Sequence, residues 1–261
     1  MSKAPDNKKT LHLQSERLSG GLRRAVEQTG TILGGLGAFL VVGVVVAAIA
    51  TWAFGEFAET VMAGQTQAFD DSVLRWMGAH HTSAFDSAML EITSLGTGIV
   101  VMMIVGVAAL FLALTRHRYS AALLLAATGG GGLLNLVLKH YFERPRPHIF
   151  TWGTHVVSSS FPSGHAMSAA VVYSTVAYLA ARLQTRTWER ALTLLSAVLV
   201  IIAISISRVY LGVHYPSDVA AGVIIGIGWS AFCMATLEGI QRVAKRSGRE
   251  ITKHETPAPS R

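Results

Sequence analysis

Three short stretches concentrate cations and imidazoles in an otherwise apolar chain: 139–148 (KHYFERPRPH), 162–165 (PSGH) and 207–218 (SRVYLGVHYPSD). Lys139, Arg146 and Arg208 together suit a multiply charged anion, because guanidinium forks match phosphate oxygens. Pro162 suits the first turn of a helix, where its missing N–H costs nothing. Gly164 lets the backbone come close to a ligand. Ser163, Gly164 and His165 can then turn their N–H groups, and one hydroxyl, toward an anion at a helix N-terminus. His214 and Asp218 are four residues apart with Pro216 between them. A helix is therefore expected to start near Tyr215 or Pro216, with Asp218 in its first turn. Its carboxylate can reach back toward His214 as in a capping box. A carboxylate on one imidazole nitrogen fixes the tautomer and frees the other as a nucleophile. His165 has no carboxylate nearby in sequence and suits a proton donor to a leaving oxygen.

The elements that must carry these stretches are membrane spans. The chain is 51% hydrophobic and only 14% charged, against about 25% charged in an average soluble domain. A crossing needs about 20 mostly apolar residues, and six segments qualify: 31–54, 92–114, 121–138, 163–181, 191–206 and 219–237. The third and fifth are short for a full crossing, with polar ends next to the stretches above. Residues 1–28 read as a polar basic tail, 29–240 as a six-helix membrane domain and 241–261 as a second basic tail. The long apolar run and the long tail before it argue against a cleaved signal peptide.

Charge orients the bundle. All but five of the 22 Lys and Arg residues lie in the two tails, the Arg116/Arg118 turn and the Arg182/Arg186/Arg190 turn. The positive-inside rule then puts both termini in the cytoplasm, and an even number of spans agrees. The remaining five are Arg75, Lys139, Arg144, Arg146 and Arg208, and four of them fall in the three stretches. This topology brings all three stretches to the outer end of the bundle. Ionisable groups at helix ends beside lipid are costly, and such a gathering reads as a functional site. Residues 55–91 form an acidic outer loop, in which FDDSVLRWM fits either an amphipathic helix on the membrane surface or a plain connecting helix. A net charge of +7 is distributed by topology and not pooled in one patch, which excludes nucleic acid as a partner.

Lys139 with Arg146-Pro147 matches a K-x6-R-P motif, Pro162 to His165 matches P-S-G-H, and Ser207-Arg208 with His214 and Asp218 matches S-R-x5-H-x3-D. In this order the chain resembles the type 2 phosphatidic acid phosphatase family, which is related to the vanadium haloperoxidases. The resemblance covers residues 69–237. It implies an all-α membrane phosphatase of six helices with its site on the outer face, in a bacterial inner membrane. By position, His214 would be the nucleophile that forms a phosphohistidine, Asp218 its partner, and His165 the general acid and then the base that activates water. Lys139, Arg146, Arg208, Ser163 and the Gly164 amide would bind the phosphoryl oxygens.

Fixed cations would do what Mg²⁺ does elsewhere in phosphoryl transfer, and no carboxylate cluster with metal-ligand spacing occurs. No metal and no cofactor are expected. The implied substrate is a membrane lipid phosphate: phosphatidic acid, phosphatidylglycerol phosphate or a polyprenyl diphosphate. Two other readings stay open, a vanadate-dependent haloperoxidase and a non-catalytic protein that binds or transports lipid phosphates. TGGGG at 128–132 is followed by no Lys-Ser/Thr and reads as close helix packing. Cys233 reads as a small buried apolar residue. Trp52 and Trp152 read as interfacial anchors, and Asn135 as a hydrogen-bonding residue within the bundle. His140, His148 and His155 lie near the site with structural or neutral roles.

Overall fold

The computed structural model describes residues 45–148 and 158–255, with side chains up to residue 241. Every element among the described residues is helical. The helices are α1 (Val45–Met62), α2 (Gln67–Ala79), α3 (Ser83–Ser94), α4 (Gly98–Leu114), α5 (Arg118–Phe142), α6 (Gly164–Leu183), α7 (Thr187–Tyr210) and α8 (Pro216–Glu255). Five of them, counting Pro216–Gln241 of α8, are long and apolar enough to cross a bilayer, and α3 with α4 adds a sixth candidate bent by 46°. Residues Gly43–Leu237 form one compact unit.

The spans differ from the sequence expectation where polar residues end them. Segments 121–138 and 191–206 grow into helices of 25 and 24 residues, because Lys139 and Arg208 lie inside their last turns. Segment 92–114 is two helices, interrupted at residues 95–97. Residues 55–91 are no loop: 55–62 complete α1, and α2 and α3 take up most of the rest. Nor does α2 lie free on a surface, since Asp70 and Leu74 are fully buried while Phe69 and Trp76 face outward. Most of segment 31–54, both outer parts of the tails, Trp152 and His155 lie outside the described residues.

Helix α6 is the centre. Ten of its residues are buried, half of them alanine, so neighbours approach it closely. Glycines on α8 use that space. A Cβ on Gly222 would stand 2.7 Å from the Ser163 carbonyl oxygen, and one on Gly226 would stand 2.8 Å from Ala170 Cβ. Small residues at a membrane helix interface allow this backbone contact, and here it sets the first turn of α8 beside that of α6. The TGGGG segment acts alike: a Cβ on Gly130 would meet Trp229, and one on Gly131 would meet Val171. Cys233 is buried in the apolar core of α4, α5, α6 and α8. The outward faces carry Ile99, Met103, Val107 and Leu114 on α4, Leu133 and Leu136 on α5, and Leu195 and Leu199 on α7. An apolar belt of this extent suits lipid and not water.

Candidate active site

The spacing from Arg208 to His214 is the geometry of one helix end. The Gly212 N–H bonds the Val209 carbonyl and the Val213 N–H bonds the Arg208 carbonyl, the paired bonds of a Schellman motif. Gly212 takes φ +64°, a conformation glycine adopts without a Cβ penalty. The chain reverses and enters α8 two residues after His214, with Pro216 at the first helical position. Asp218 Oδ2 then accepts the Tyr215 N–H at 2.9 Å, which is the reach-back half of a capping box.

That carboxylate is fully buried and has several partners. Its Oδ1 accepts Arg144 Nη1 at 2.5 Å, and its Oδ2 also accepts the Ser160 hydroxyl. His214 Nδ1 stands 3.6 Å from Oδ2 and 3.5 Å from Ser160 Oγ. On the other side of the ring, Nε2 faces Arg146 Nη1 at 3.4 Å. A guanidinium can only donate, so Nε2 presents its lone pair and Nδ1 carries the proton. Burial drives the His214 pKa down to about 4; Asp218 opposes that shift, while Arg146 and Arg208 add to it. The ring is therefore a free base at neutral pH.

The other residues converge on the same end of the bundle. Arg146 donates to the Val213 carbonyl at 2.7 Å and the Ser158 carbonyl at 2.9 Å. Burial lowers its pKa, with Asp218 opposing. Lys139, one turn from the end of α5, donates to the Ser159 carbonyl at 2.5 Å. Arg208 Nη1 donates to Thr93 at 2.8 Å, while its Nε is buried without a partner. Ser163 Oγ is likewise buried and unpartnered. His165 lies within electrostatic reach of Arg208, His214, Arg146 and Lys139. A Cβ on Gly164 would stand 3.1 Å from Asn135 Nδ2 and 3.6 Å from Lys139 Cε, so α5 borders the entrance of α6. The arrangement gathers three cations, a buried hydroxyl with no partner and a lone pair on nitrogen, which together suit a phosphoryl group.

The sequence profile of the PAP2 superfamily matches residues 120–242. Phosphatidylglycerophosphatase B of Bacillus subtilis is 34% identical over 143 residues, covering 54% of this chain and 70% of that protein. The chain belongs to the PAP2 superfamily. Undecaprenyl-diphosphatase of Sulfolobus acidocaldarius is 31% identical, over 53% of this chain and 65% of that one. The crystal structure of a transmembrane PAP2 type phosphatidylglycerolphosphate phosphatase from Bacillus subtilis superposes with a TM-score of 0.68 at 28% identity. It covers 75% of this chain and 96% of the other. With its apolar helices, this PAP2 protein is a multi-pass integral membrane protein and a lipid phosphatase in class.

Two local expectations need correction. Helix α6 begins at Gly164 with Ser163 as its N-cap, so Pro162 precedes the helix and is not in its first turn. The Ser163 N–H bonds the Asp218 carbonyl at 2.9 Å, which leaves only the Gly164 and His165 amides of the three for an anion. Asn135 also differs, since its Oδ1 is buried without a partner. His140 and His148 are exposed.

Sequence reading missed Arg144, Asp70, Ser160, Ser217 and Thr93. Arg144 was legible as a cation of the first stretch, but its direction was not: it turns away from Lys139 and Arg146 into a buried ionic network. Asp70 carried a signal, because it shares a helical face with Val73, Leu74 and Met77, and an acid on an apolar stripe needs a partner.

Proposed function

We propose that this PAP2 protein hydrolyses a phosphomonoester or diphosphate of a membrane lipid through a phosphohistidine on His214. The substrate class is phosphatidic acid, phosphatidylglycerol phosphate or a polyprenyl diphosphate, in keeping with the names of its relatives. His214 Nε2 attacks phosphorus and the P–O bond to the lipid breaks. With the substrate's negatively charged phosphate beside it, His165 takes the imidazolium form and gives its proton to the departing oxygen. His165, now neutral, takes a proton from water as that water attacks phosphorus. The P–N bond breaks, releasing inorganic phosphate and regenerating both rings. Asp218 holds Nδ1–H and stabilises positive charge on the His214 ring during attack. Lys139, Arg146, Arg208, Ser163 Oγ and the Gly164 amide hold the phosphoryl oxygens, whose charge spreads as the group transfers. These fixed cations make the reaction independent of metal. The site faces the outer side of a bacterial inner membrane and both termini face the cytoplasm, as the distribution of Lys and Arg favours.

The observation that carries this reading is the His214 ring. It is buried and held as a free base, with its lone pair toward Arg146. The test is phosphate release by the purified protein across a panel of lipid mono- and diphosphates. Release from at least one lipid, unchanged by EDTA and inhibited by vanadate, is expected. Undiminished release by His214→Ala would overturn the mechanism, and loss in EDTA restored by Mg²⁺ would overturn metal independence.

A further inference from the structure

Behind Asp218 lies a second buried carboxylate that the proposed mechanism does not use. Asp70, on α2, is fully buried. Its Oδ2 accepts Arg144 Nη2 at 3.0 Å, the Ser217 hydroxyl at 2.5 Å and the Thr66 hydroxyl at 3.0 Å. Its Oδ1 accepts the Ser217 N–H at 3.0 Å, so it caps the first turn of α8 from another helix. Arg144 lies between the two acids. Its Nη1 reaches Asp218 at 2.5 Å and Ser217 Oγ at 2.9 Å, and its Nη2 reaches Asp70 and Gln67. The guanidinium stacks on the Tyr215 ring at 4.2 Å, and its backbone carbonyl accepts the Ser160 N–H at 2.8 Å. Ser160 in turn donates to Asp218.

Charge makes this more than a brace. A buried guanidinium paired with Asp218 alone would neutralise it, and His214 would then face a balanced ion pair. With Asp70 sharing the cation, the trio keeps one net negative charge beside the imidazole. That charge strengthens its hold on the ring only as positive charge develops there, which is the condition for raising kcat without tighter ground-state binding.

We infer that Asp70 and Arg144 are positioning residues for the nucleophile: Asp70 draws the Arg144 fork off Asp218 and fixes the first turn of α8. Together they set the geometry and the net charge with which Asp218 meets His214. The inference rests on the proposed role of His214, and the experiment separates the two.

Wild type, Asp70→Asn, Arg144→Lys and His214→Ala are purified in the same detergent. Each is assayed on a lipid phosphate that wild type hydrolyses, with inorganic phosphate as a competing ligand. Asp70→Asn is expected to lower kcat about 10–100-fold, the range for residues that orient a reacting group. KM and the phosphate inhibition constant should stay near wild type, since Lys139, Arg146 and Arg208 are untouched. Arg144→Lys keeps the charge but not the fork, and should show the same split. It carries the test if Asp70→Asn fails to elute as a folded species. Wild-type kcat in the folded variant, or equal losses in kcat and phosphate affinity, would overturn the inference. An inactive His214→Ala beside a normal Asp70→Asn would overturn the inference alone; an active His214→Ala would overturn both.

Discussion

His214 and His165 stand near the entrances of two adjacent helices, and the structure holds them by different means. His214 sits in a polar socket. Asp218, Ser160 and Arg146 surround its nitrogens, and Arg144, just past the end of α5, and Asp70, on α2, back the socket. Among the described residues, no hydrogen bond holds the His165 ring. It is half-buried and is positioned by packing: the break between α3 and α4 puts Gly96 so close that a Cβ there would stand 3.1 Å from His165 Cδ2 and 2.9 Å from Ile204 Cγ2. The difference fits the two proposed tasks. A nucleophile must keep one tautomer and one direction through the reaction. A ring that gives up a proton and takes one back gains from being placed by shape, because fixed partners on its nitrogens would favour one protonation state.

Removing each ring in turn separates the two roles most directly. His214→Ala should cost about 10⁴-fold or more in kcat on any substrate, as loss of a nucleophile does. His165→Asn should cost about 10²–10⁴-fold on a lipid phosphate. With an aryl phosphate, whose leaving group needs no proton, the His165 variant should give a burst of phenol followed by slow turnover. Absence of the burst, with both variants equally dead, would mean that the two rings do not divide the work.

Next in size is the hydroxyl beside them. Ser163 Oγ has no partner to lose, so Ser163→Ala should leave the melting temperature unchanged. It should raise the inhibition constant of inorganic phosphate by about tenfold or more, the worth of a hydrogen bond to a charged group. A lowered melting temperature with unaltered phosphate binding would make the hydroxyl structural.

Gly96→Ala probes placement by packing. The added methyl must push the His165 ring by a few tenths of an ångström or displace Ile204. A loss of about tenfold in kcat is expected, since small misplacements near a reacting atom are costly. Full activity would mean that the ring has slack.

The smallest effect concerns stability. The His214 pKa falls from about 6.5 in an unfolded chain to about 4 in the folded one. The folded state therefore binds fewer protons within that window, so its stability falls as pH drops from about 6.5 to 4 and levels off below. In His214→Gln the decline over this window should be shallower, as read from melting temperatures in detergent. An unchanged slope would mean that His214 does not titrate as its burial requires.

Local sequence determined a good deal here. Long apolar runs impose helices because no backbone polar group can go unpaired in lipid. Pro216 and Asp218 prescribe a helix start, and Gly212 permits the turn before it, so the His214–Asp218 neighbourhood was legible from spacing alone. The bend at residues 95–97, the helical state of residues 55–91 and the lengths of α5 and α7 were not. The last turns of α5 and α7 carry cations whose partners lie on distant segments, as Lys139 finds the Ser159 carbonyl and Arg208 finds Thr93. Tertiary structure alone decided the direction of Arg144, the burial of Asp70 and the seating of His165 against Gly96. Sequence spacing measures distance along one helix or turn; it does not report which distant segment, 74 residues away in the case of Asp70 and Arg144, will supply the opposite charge.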